Sequence, residues 1–485
     1  MSEGDCDGRL VRDTEQEWHI HCSHQIESIN ESLHDIDVLP DDKIEDFYMR
    51  YEDRANIIKE KFVEAQCPIF DIFYKILTKQ QNMNVLFLTM TDVNLNGRGI
   101  YNDLMRKFHS ECHHIYIVCP VERRSGKKTY LNQNNHVSIL HVRTLNLQKT
   151  NFVEKGVGQL MLEPLFKCSL KKYFGDVKFD LILYSTPPIT FNRVIRYAKE
   201  ASGNRSTTYL MLKDIFPQNA VDLGLMRTTG LRGVLYNVFR NKEKELYRIS
   251  DWIGCMSPAN VRYIIEHNPE IEPTKVELAP NSIEIISSDI NLKGSCCKIR
   301  KKYGLPADKP IFIYGGNLGL PQGIPYLIEC LEANSNRKDC HFLVVGSGTY
   351  YQKLEDWYKS QTPDSVTVLN GLPKVEYDQL VRACQVGLIF LDYRFTIPNF
   401  PSRLLSYLEN RMPVICATDP NCDMGTIAED NQFGYYVPSN SVEAFTASVD
   451  KMLDSDMKRM GEKGFEFLKA NYSVDNTYNS IIKHL

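Results

Sequence analysis

A loop and the helix that follows it carry the residues best suited to chemistry in this chain of 485 residues. The loop ends at Asn399-Phe400-Pro401, and the first turn of the predicted helix contains Ser402 and Arg403. Free backbone N–H groups at a helix N-terminus bind anions, and proline suits the first helical position. Glu409 follows about two turns later, near the same face. The pattern predicts an anion site, and a capped surface helix with a solvated Glu409 is an equal alternative from these residues alone.

A glycine-rich loop further upstream predicts a second anion site. The approach to a helix beginning near Ile324 holds four glycines, Gly315, Gly316, Gly319 and Gly323. Glycines permit tight turns and leave backbone amides bare, which suits a diphosphate. No Gly-Lys-Ser or Gly-Lys-Thr follows, so the loop is not a Walker phosphate loop.

A third loop, after the first apolar run of the chain, has a weaker signal. Gly97 and Gly99 stand just before a helix that begins near Ile100. Glycine lets the backbone approach a ligand there, and the helix start favours an anion. The complete Gly-x-Gly-x-x-Gly pattern is absent, so an ordinary strand-to-helix turn is almost as good an interpretation.

Short apolar runs alternate with helical segments from residue 84 onward, and they explain where these loops lie. The first series comprises residues 85–89, 115–119, 181–185, 208–212 and 252–256; the second comprises 311–316, 342–348, 366–371, 386–391, 413–418 and 434–437. Runs that are apolar throughout are typical of parallel strands buried on both faces. Two such series predict an α/β protein with two doubly wound, Rossmann-like domains. Because ligands bind beyond the carboxyl ends of parallel strands, we expect the site in the cleft between the domains.

Composition supports a folded protein of two or three domains without a membrane span. Hydrophobic residues make up 43% and charged residues 24% of the chain, which is ordinary usage for a globular protein. No apolar run is long enough to cross a bilayer, and the acidic N-terminus does not resemble a secretory signal. We therefore expect a cytoplasmic protein whose 14 cysteines are reduced.

Two groups of residues could suggest a metal, and neither predicts one. His19, His21, Cys22 and His24 lie close together near the start, but residues of a solvated tail explain them better. Asp454 and Asp456 form an Asp-x-Asp pair between helical stretches, where helix capping is the better interpretation. We predict no metal and no cofactor.

Charge is distributed unevenly along the chain, whose formal net charge is -4. Residues 81–250 hold 25 basic and 13 acidic side chains. A basic segment between acidic flanks indicates contact with something anionic, although a solvated basic face is the plainer explanation.

Residues 230–251 place Leu231, Val234, Leu235, Val238 and Phe239 at helical spacing, flanked by Arg232, Arg240, Lys242 and Lys244. This pattern fits a helix lying on an anionic membrane, and an apolar stripe that packs inward is an equal alternative.

Five segments together resemble retaining glycosyltransferases of the GT-B fold, family-4 type, above all bacterial enzymes that build capsular and lipid-linked polysaccharides. The segments are KDIFPQNAVDLGLM (213–226), DWIGCMSPAN (251–260), VELAPNS (276–282), YGGNLGLPQG (314–323) and IPNFPSRLLSYLENRMPVICATD (397–419). They occur in the family's order, and the resemblance covers about residues 84–485.

The resemblance implies a role for each of three sets of residues. The donor nucleotide-sugar, expected to be UDP-linked, would contact Gly316, Asn317, Gly319, Gln322, Lys374, Pro401, Ser402 and Arg403. The acceptor would face Gly97, Arg98, Gly99, Ser185 and Thr186. The candidate catalytic residues are Glu409, Asp214 and Ser406.

The sequence departs from the family where many members carry two glutamates eight residues apart. Counting back from Pro413, these positions are occupied by Pro398 and Ser406. Glu409 stands one turn later than the second glutamate and is the available substitute.

The resemblance and the strand pattern together predict four segments. Residues 1–82 form an acidic helical extension, partly disordered; residues 83–290 form an acceptor- and membrane-facing domain; residues 291–465 form a nucleotide-sugar-binding domain; and residues 466–485 form a helix able to cross back to the first domain.

The predicted function is transfer of a sugar, with retention, from a nucleotide-sugar to a lipid-linked or saccharide acceptor in surface polysaccharide synthesis. Hexosyl or N-acetylhexosaminyl transfer at the inner face of the membrane, with peripheral contact and no nucleic acid, would fit this pattern. Two alternatives stay open. One is a non-catalytic GT-B subunit or scaffold, and the other is a nucleotide-sugar epimerase or hydrolase that acts on the donor alone.

Overall fold

The computed structural model describes residues 82–134, 136–147, 152–286 and 293–485. The predicted helical extension, apart from its last residue, and the cluster at residues 19–24 lie outside the described residues. From Asn82 to the C-terminus the chain forms one compact unit that contains two sheets.

The first sheet has eight strands in the order β3-β4-β2-β1-β5-β6-β7-β8. Their bounds are β1 Asn84–Leu88, β2 His114–Glu122, β3 Tyr130–Asn134, β4 Val137–Thr144, β5 Leu181–Ser185, β6 Thr207–Leu212, β7 Trp252–Cys255 and β8 Val276–Leu278. All neighbours pair in parallel except β3, which runs antiparallel to β4. The helices that connect and flank these strands are α1 Ile100–Ser110, α2 Phe152–Phe174, α3 Asn192–Ala201, α4 Gln218–Asp222, α5 Gly230–Ile249 and α6 Pro258–His267.

The second sheet has six parallel strands in the order β11-β10-β9-β12-β13-β14. Their bounds are β9 Ile311–Asn317, β10 His341–Ser347, β11 Val366–Asn370, β12 Val386–Phe390, β13 Val414–Thr418 and β14 Gly434–Pro438. Its helices are α7 Lys293–Lys302, α8 Ile324–Ala333, α9 Tyr351–Gln361, α10 Lys374–Val381, α11 Arg403–Glu409, α12 Met424–Asp430, α13 Val442–Leu453, α14 Met457–Asn471 and α15 Val474–Ile482.

Burial on both faces explains why the strands are apolar throughout. Phe87 of β1 and Ile313 of β9 are fully buried, as are the residues beside them. Each sheet has one hydrophobic cluster on each face. The α/β class and the two doubly wound, parallel-sheet halves predicted from the sequence are thus confirmed. Strand order reverses beside β1 and beside β9, and in such sheets the reversal leaves a crevice for ligands.

Helix α15 follows the second sheet in sequence but packs against the first. Tyr478 contacts the Phe108 ring of α1 at 4.9 Å between centroids, and its hydroxyl lies 2.9 Å from Nε2 of His113. Just before α15, Ser473 pairs with Ile283 as an isolated parallel bridge. The C-terminus therefore ties the two halves together.

Helix α5 leaves part of its apolar stripe in solvent. Val234, Leu235 and Val238 are 60%, 52% and 47% exposed. Phe239 instead turns inward and meets Phe216 at 5.1 Å between ring centroids. No described helix is both long enough and apolar enough to cross a bilayer.

Candidate active site

A cavity of about 860 Å³ lies where strand ends from both sheets face each other. The first sheet contributes Lys213 and Asp214, which follow β6, and Met256, which follows β7. The second sheet contributes Gly316 at the end of β9 and Gly346 near the end of β10. This volume is typical of a site for a small organic ligand.

Glycines at the ends of β9 and β10 are needed for close packing. A Cβ atom on Gly346 would lie 2.0 Å from the backbone oxygen of Gly316, and one on Gly315 would lie 1.9 Å from the Tyr377 hydroxyl. Gly316 also has φ +127°, a conformation that side-chain-bearing residues rarely adopt. Because no side chains fill this wall, the cavity is lined there by bare backbone.

Arg403, the first residue of α11, brings a fixed cation to the same wall. Its guanidinium stacks over the Tyr314 ring at 4.4 Å, and its Nη2 would lie 3.4 Å from a Cβ atom on Gly316. The Nη1 atom is buried and has no hydrogen-bond partner. Among the described residues, tyrosines rather than carboxylates surround this guanidinium. A half-buried cation without a counter-charge is costly, so this wall favours the binding of an anion.

Lys213 and Asp214 form the opposite wall as a pair of titratable side chains. Burial lowers the pKa of Lys213 to about 7 and raises the pKa of Asp214 to about 6. The Asn219 amide partly offsets the second effect, since its Nδ2 donates to both Asp214 carboxylate oxygens at 2.8 and 2.9 Å. Both groups therefore titrate near neutral pH, as acid–base and substrate-contacting groups often do.

Thr186 holds the backbone of Lys213 and Asp214 in place. Its Oγ1 accepts hydrogen bonds from the backbone N–H groups of Lys213 and Asp214, at 3.0 and 3.1 Å. Ser185 and Thr186 are themselves buried and do not line the cavity. These two predicted acceptor-side residues support the wall rather than form it.

Most of the predicted donor-side residues do line the cavity. They are Gly316, Gln322, Lys374, Pro401, Ser402 and Arg403, and the candidate catalytic residues Asp214 and Ser406 line it as well. Asn317 and Gly319 lie just behind, where Asn317 Nδ2 and the Gly319 N–H donate to Gln322 Oε1 at 2.9 and 3.3 Å. Lys374 is partly neutralised, because its Nζ lies 2.9 Å from Asp378 Oδ2.

The start of α11 differs in one detail from the sequence-based expectation. The helix begins at Arg403, with Ser402 as the residue before it, so Pro401 precedes the helix and does not occupy its first position. Ser402 makes no capping hydrogen bond through its side chain, and its hydroxyl is therefore available at the cavity.

Glu409 and Arg98 contact each other and lie outside the residues that line the cavity. Arg98 donates to both carboxylate oxygens, at 3.1 and 2.6 Å, and to the Glu284 backbone oxygen at 2.9 Å. Both Glu409 oxygens are engaged by the guanidinium, so this placement gives no support to a catalytic role. The pair instead joins the β1–α1 loop to the end of α11.

Gly97 and Gly99 also shape that loop without reaching the cavity. The Gly97 carbonyl accepts from Arg106 Nη1 at 3.0 Å, and the Gly99 N–H donates to Asp103 Oδ1 at 3.1 Å. None of the five predicted acceptor-side residues therefore lines this cavity.

Sequence reasoning missed Lys213 and Asn219, which belong to the site by geometry. A signal for Lys213 was available, since a lysine that directly follows a buried strand stands at its carboxyl end. Asn219 had no such signal, because its bond to Asp214 depends on the path of the turn before α4.

Residues 297–467 match the family Glycosyl transferases group 1. The chain is 25% identical over 190 residues to an alpha-D-kanosaminyltransferase of Streptomyces kanamyceticus, which covers 38% of this chain and 47% of that protein. It is 24% identical over 280 residues to WcaI of Escherichia coli, a putative colanic acid biosynthesis glycosyl transferase, covering 57% of this chain and 67% of that one. The chain thus spans about half of the first relative.

Solved structures share the architecture at low identity. Sucrose-phosphate synthase from Thermosynechococcus elongatus superposes with a TM-score of 0.63 at 15% identity, covering 83% of this chain and 98% of that chain. HepE of Anabaena, solved in complex with UDP and glucose, gives 0.56 at 13%, covering 83% and 99%. These similarities confirm the GT-B fold.

Proposed function

We propose that this chain, which carries a Glycosyl transferases group 1 domain on a GT-B fold, moves a sugar from a UDP-linked donor to a saccharide or lipid-linked acceptor with retention. The reaction would serve surface polysaccharide synthesis at the cytoplasmic face of a membrane. The single observation that carries the proposal is Arg403, a cation without a carboxylate partner among the described residues, beside the bare backbone of Gly316.

The cavity wall formed by Arg403 and the backbone around Gly316 suits a diphosphate better than a neutral ligand. A guanidinium binds phosphate oxygens through two parallel N–H donors, and these charge-assisted bonds are stronger than neutral ones. Backbone amides next to glycines add donors without side chains that would block the approach. HepE, a neighbour by fold, was solved with UDP and glucose, and this supports UDP as the nucleotide.

Catalysis would come mainly from stabilising the leaving group. Glycosyl transfer passes through an oxocarbenium-like state while negative charge develops on the departing diphosphate. Arg403 would stabilise that charge, and Ser402 and Ser406 would add hydroxyl donors from the same helix. The acceptor hydroxyl could then attack from the face that the diphosphate leaves, which gives retention without an enzyme nucleophile or a metal.

Asp214 would meet the acceptor from the other wall. Its carboxylate is largely ionised at pH 7, because its pKa is about 6, so it can accept a hydrogen bond from the attacking hydroxyl. Lys213, with a pKa of about 7, would supply a variable positive charge nearby. Glu409 is omitted from this mechanism because its carboxylate is engaged by Arg98.

A panel of nucleotides and nucleotide-sugars tests the proposal. Ligands that bind the native state raise the melting temperature, so UDP and UDP-sugars should do so while AMP should not. Consumption of a UDP-sugar only when lipid extract or oligosaccharide is present would support transfer. Consumption of the donor alone would favour an epimerase or hydrolase, and binding without consumption would favour a non-catalytic subunit. A panel in which no nucleotide shifts the melting temperature would contradict the proposal.

Helix α5 supports the membrane part of the proposal through its apolar surface. Val234, Leu235 and Val238 stand in solvent on neighbouring turns, and exposed Arg227 lies just upstream. Two of the flanking cations are paired with carboxylates, Arg240 with Glu243 at 2.6 Å and Lys244 with Glu270 at 3.1 Å. We therefore expect apolar insertion to contribute more to binding than charge does.

Liposome flotation tests this contact. The wild type should float with anionic vesicles at low salt, and a Val234→Ser, Leu235→Ser, Val238→Ser triple variant should not. A matched control is Val375→Ser, since Val375 is 73% exposed on the second half of the chain. Equal flotation of the triple variant and the wild type would remove α5 from the proposal.

A further inference from the structure

Three metal-ligating side chains meet at the edge of the first sheet, away from the cavity. Cys119 of β2 and His141 of β4 stand directly opposite each other in the parallel register of these strands. Asp92, from the loop after β1, closes the group, and the three ligand atoms all lie within 4.8 Å of one another. None of these residues lines the proposed active site.

The distances match three corners of a tetrahedron. Cys119 Sγ lies 3.4 Å from His141 Nδ1 and 4.0 Å from Asp92 Oδ1, and His141 Nδ1 lies 3.7 Å from Asp92 Oδ1. A tetrahedral zinc ion holds sulfur at about 2.3 Å and nitrogen or oxygen at about 2.0–2.2 Å, which separates the ligand atoms by about 3.4–3.6 Å. Small movements of Asp92 would therefore complete the geometry.

Both the sulfur and the carboxylate oxygen approach the same ring nitrogen, Nδ1. A nucleophilic triad needs the thiol and the carboxylate on opposite nitrogens of the imidazole. One nitrogen then accepts the thiol proton, while the other donates a hydrogen bond to the carboxylate that orients the ring. Three ligand atoms converging on one point are instead the arrangement that a cation requires.

The surroundings hold two ligands firmly and leave the third free to adjust. Cys119 is fully buried, and the His141 ring stacks on Tyr130 with centroids 4.4 Å apart. The Asp92 side chain is 75% exposed, so the site opens to solvent on that side. Water can then take the fourth position, as in zinc sites with three protein ligands.

We propose that Asp92, Cys119 and His141 bind a zinc ion that fastens the β1–α1 loop to strands β2 and β4. On binding, the Cys119 thiol releases its proton to solvent and the thiolate becomes the metal ligand, while His141 binds as neutral imidazole. This loop also contains Arg98, so the ion would stabilise the segment that joins the two halves through Glu409.

Burial shifts the pKa values of two of the three side chains in this group. Burial and then the nearby Asp92 carboxylate raise the pKa of the Cys119 thiol to about 12, which the Val93 backbone N–H partly offsets. Burial lowers the pKa of His141, and the positive charge of Lys127 lowers it further. The Asp92 carboxylate acts in the opposite direction. Burial therefore favours the neutral forms of both side chains in the metal-free protein.

Cobalt substitution in the full-length protein tests the site. Co²⁺ bound tetrahedrally with a thiolate ligand gives intense visible bands and a sulfur-to-cobalt charge-transfer band. We expect both in the wild type, their loss in Cys119→Ser, and their retention in Cys168→Ser, an exposed thiol elsewhere in the first half. Cys22→Ser serves as a second control, because histidines flank Cys22 in the sequence and could bind cobalt independently.

Asp92→Asn keeps the test valid should Cys119→Ser fail to fold. This exposed position should tolerate the change, and the variant should bind cobalt at least about tenfold more weakly while it keeps the thiolate band. Zinc should displace cobalt stoichiometrically from the wild type. Spectra and affinities that are the same in the wild type, Cys119→Ser and Asp92→Asn would overturn the proposal.

Discussion

The two walls of the cavity are built by different means. The wall from the second sheet is backbone, kept bare by Gly316 and Gly346 and charged by Arg403. The wall from the first sheet is made of side chains, and Lys213 and Asp214 both titrate near neutral pH. A rigid wall with permanent charge suits an invariant group such as a diphosphate, whereas titratable side chains suit a hydroxyl that must lose a proton. Substitutions in each wall should separate these two roles.

Gly346→Ala should have the largest effect and should damage the rigid wall. The added Cβ would lie 2.0 Å from the Gly316 backbone oxygen, so one strand end must move. We expect about 3 kcal/mol or more of lost stability, together with loss of UDP binding, measured by urea unfolding and calorimetry. In Gly371→Ala the nearest atom lies at 3.4 Å, so that variant should keep its stability. Equal stability of the two variants would show that the glycine packing is not required.

Arg403→Met should weaken UDP binding about 100-fold, or about 3 kcal/mol, because it removes the charge that faces the diphosphate. The unliganded variant should be as stable as the wild type or more so, since Arg403 is a half-buried cation without a carboxylate partner among the described residues. Calorimetry measures the affinity and thermal unfolding measures the stability.

Arg394→Met is the matched control for that experiment. Arg394 is ion-paired with Asp392 at 2.8 Å and does not line the cavity, so UDP affinity should not change. If Arg403→Met binds UDP as tightly as the wild type does, the charge of Arg403 does not contribute to diphosphate binding.

Asp214→Asn should change how the stability of the protein depends on pH. The folded pKa is about 6 against an ordinary value of 3.8, so between these pH values the unfolded chain has lost a proton that the native state retains. Stability of the wild type therefore falls as pH rises from 3.8 to about 6 and stays reduced above that. The Asn variant should match the wild type near pH 3.5 and exceed it by about 3 kcal/mol at pH 7.5, since a difference of about two pKa units corresponds to that energy. A stability difference that is independent of pH would contradict the assigned pKa.

Glu409→Gln should have the smallest effect and should leave both walls intact. It weakens the bond to Arg98 at a half-buried position, so we expect a stability loss of about 1 kcal/mol and unchanged UDP affinity and turnover. Arg98→Lys should resemble it. A large loss of turnover with normal UDP affinity would restore Glu409 as a catalytic candidate.

The sequence predicted the fold through apolar runs. Strands such as β1, β5, β12 and β13 are apolar because both faces are buried, and the edge strands β11 and β14 were found although they are only partly buried. It missed β3, β4 and β8, since YLNQN is polar, VSILHVRT mixes polar with apolar residues, and VEL is only three residues long. At the site, glycine crowding identified the backbone wall, because a wall without side chains needs many glycines.

Contacts across long separations could not be read from the sequence. Arg98 and Glu409 are 311 positions apart, and their pairing depends on how the halves meet. Asp92, Cys119 and His141 come from three elements, and β4 pairs with β2 although β3 lies between them in the chain. Spacing reveals ligands on one helix or loop, and these clusters arise only when the sheet is assembled.

A structure of the protein in complex with UDP tests the central claim most directly. We expect the diphosphate in the cavity of about 860 Å³, with its oxygens at hydrogen-bond distance from the Arg403 guanidinium and from backbone N–H groups at the end of β9. UDP bound with its phosphates against Lys213, or at any site away from Arg403, would contradict it.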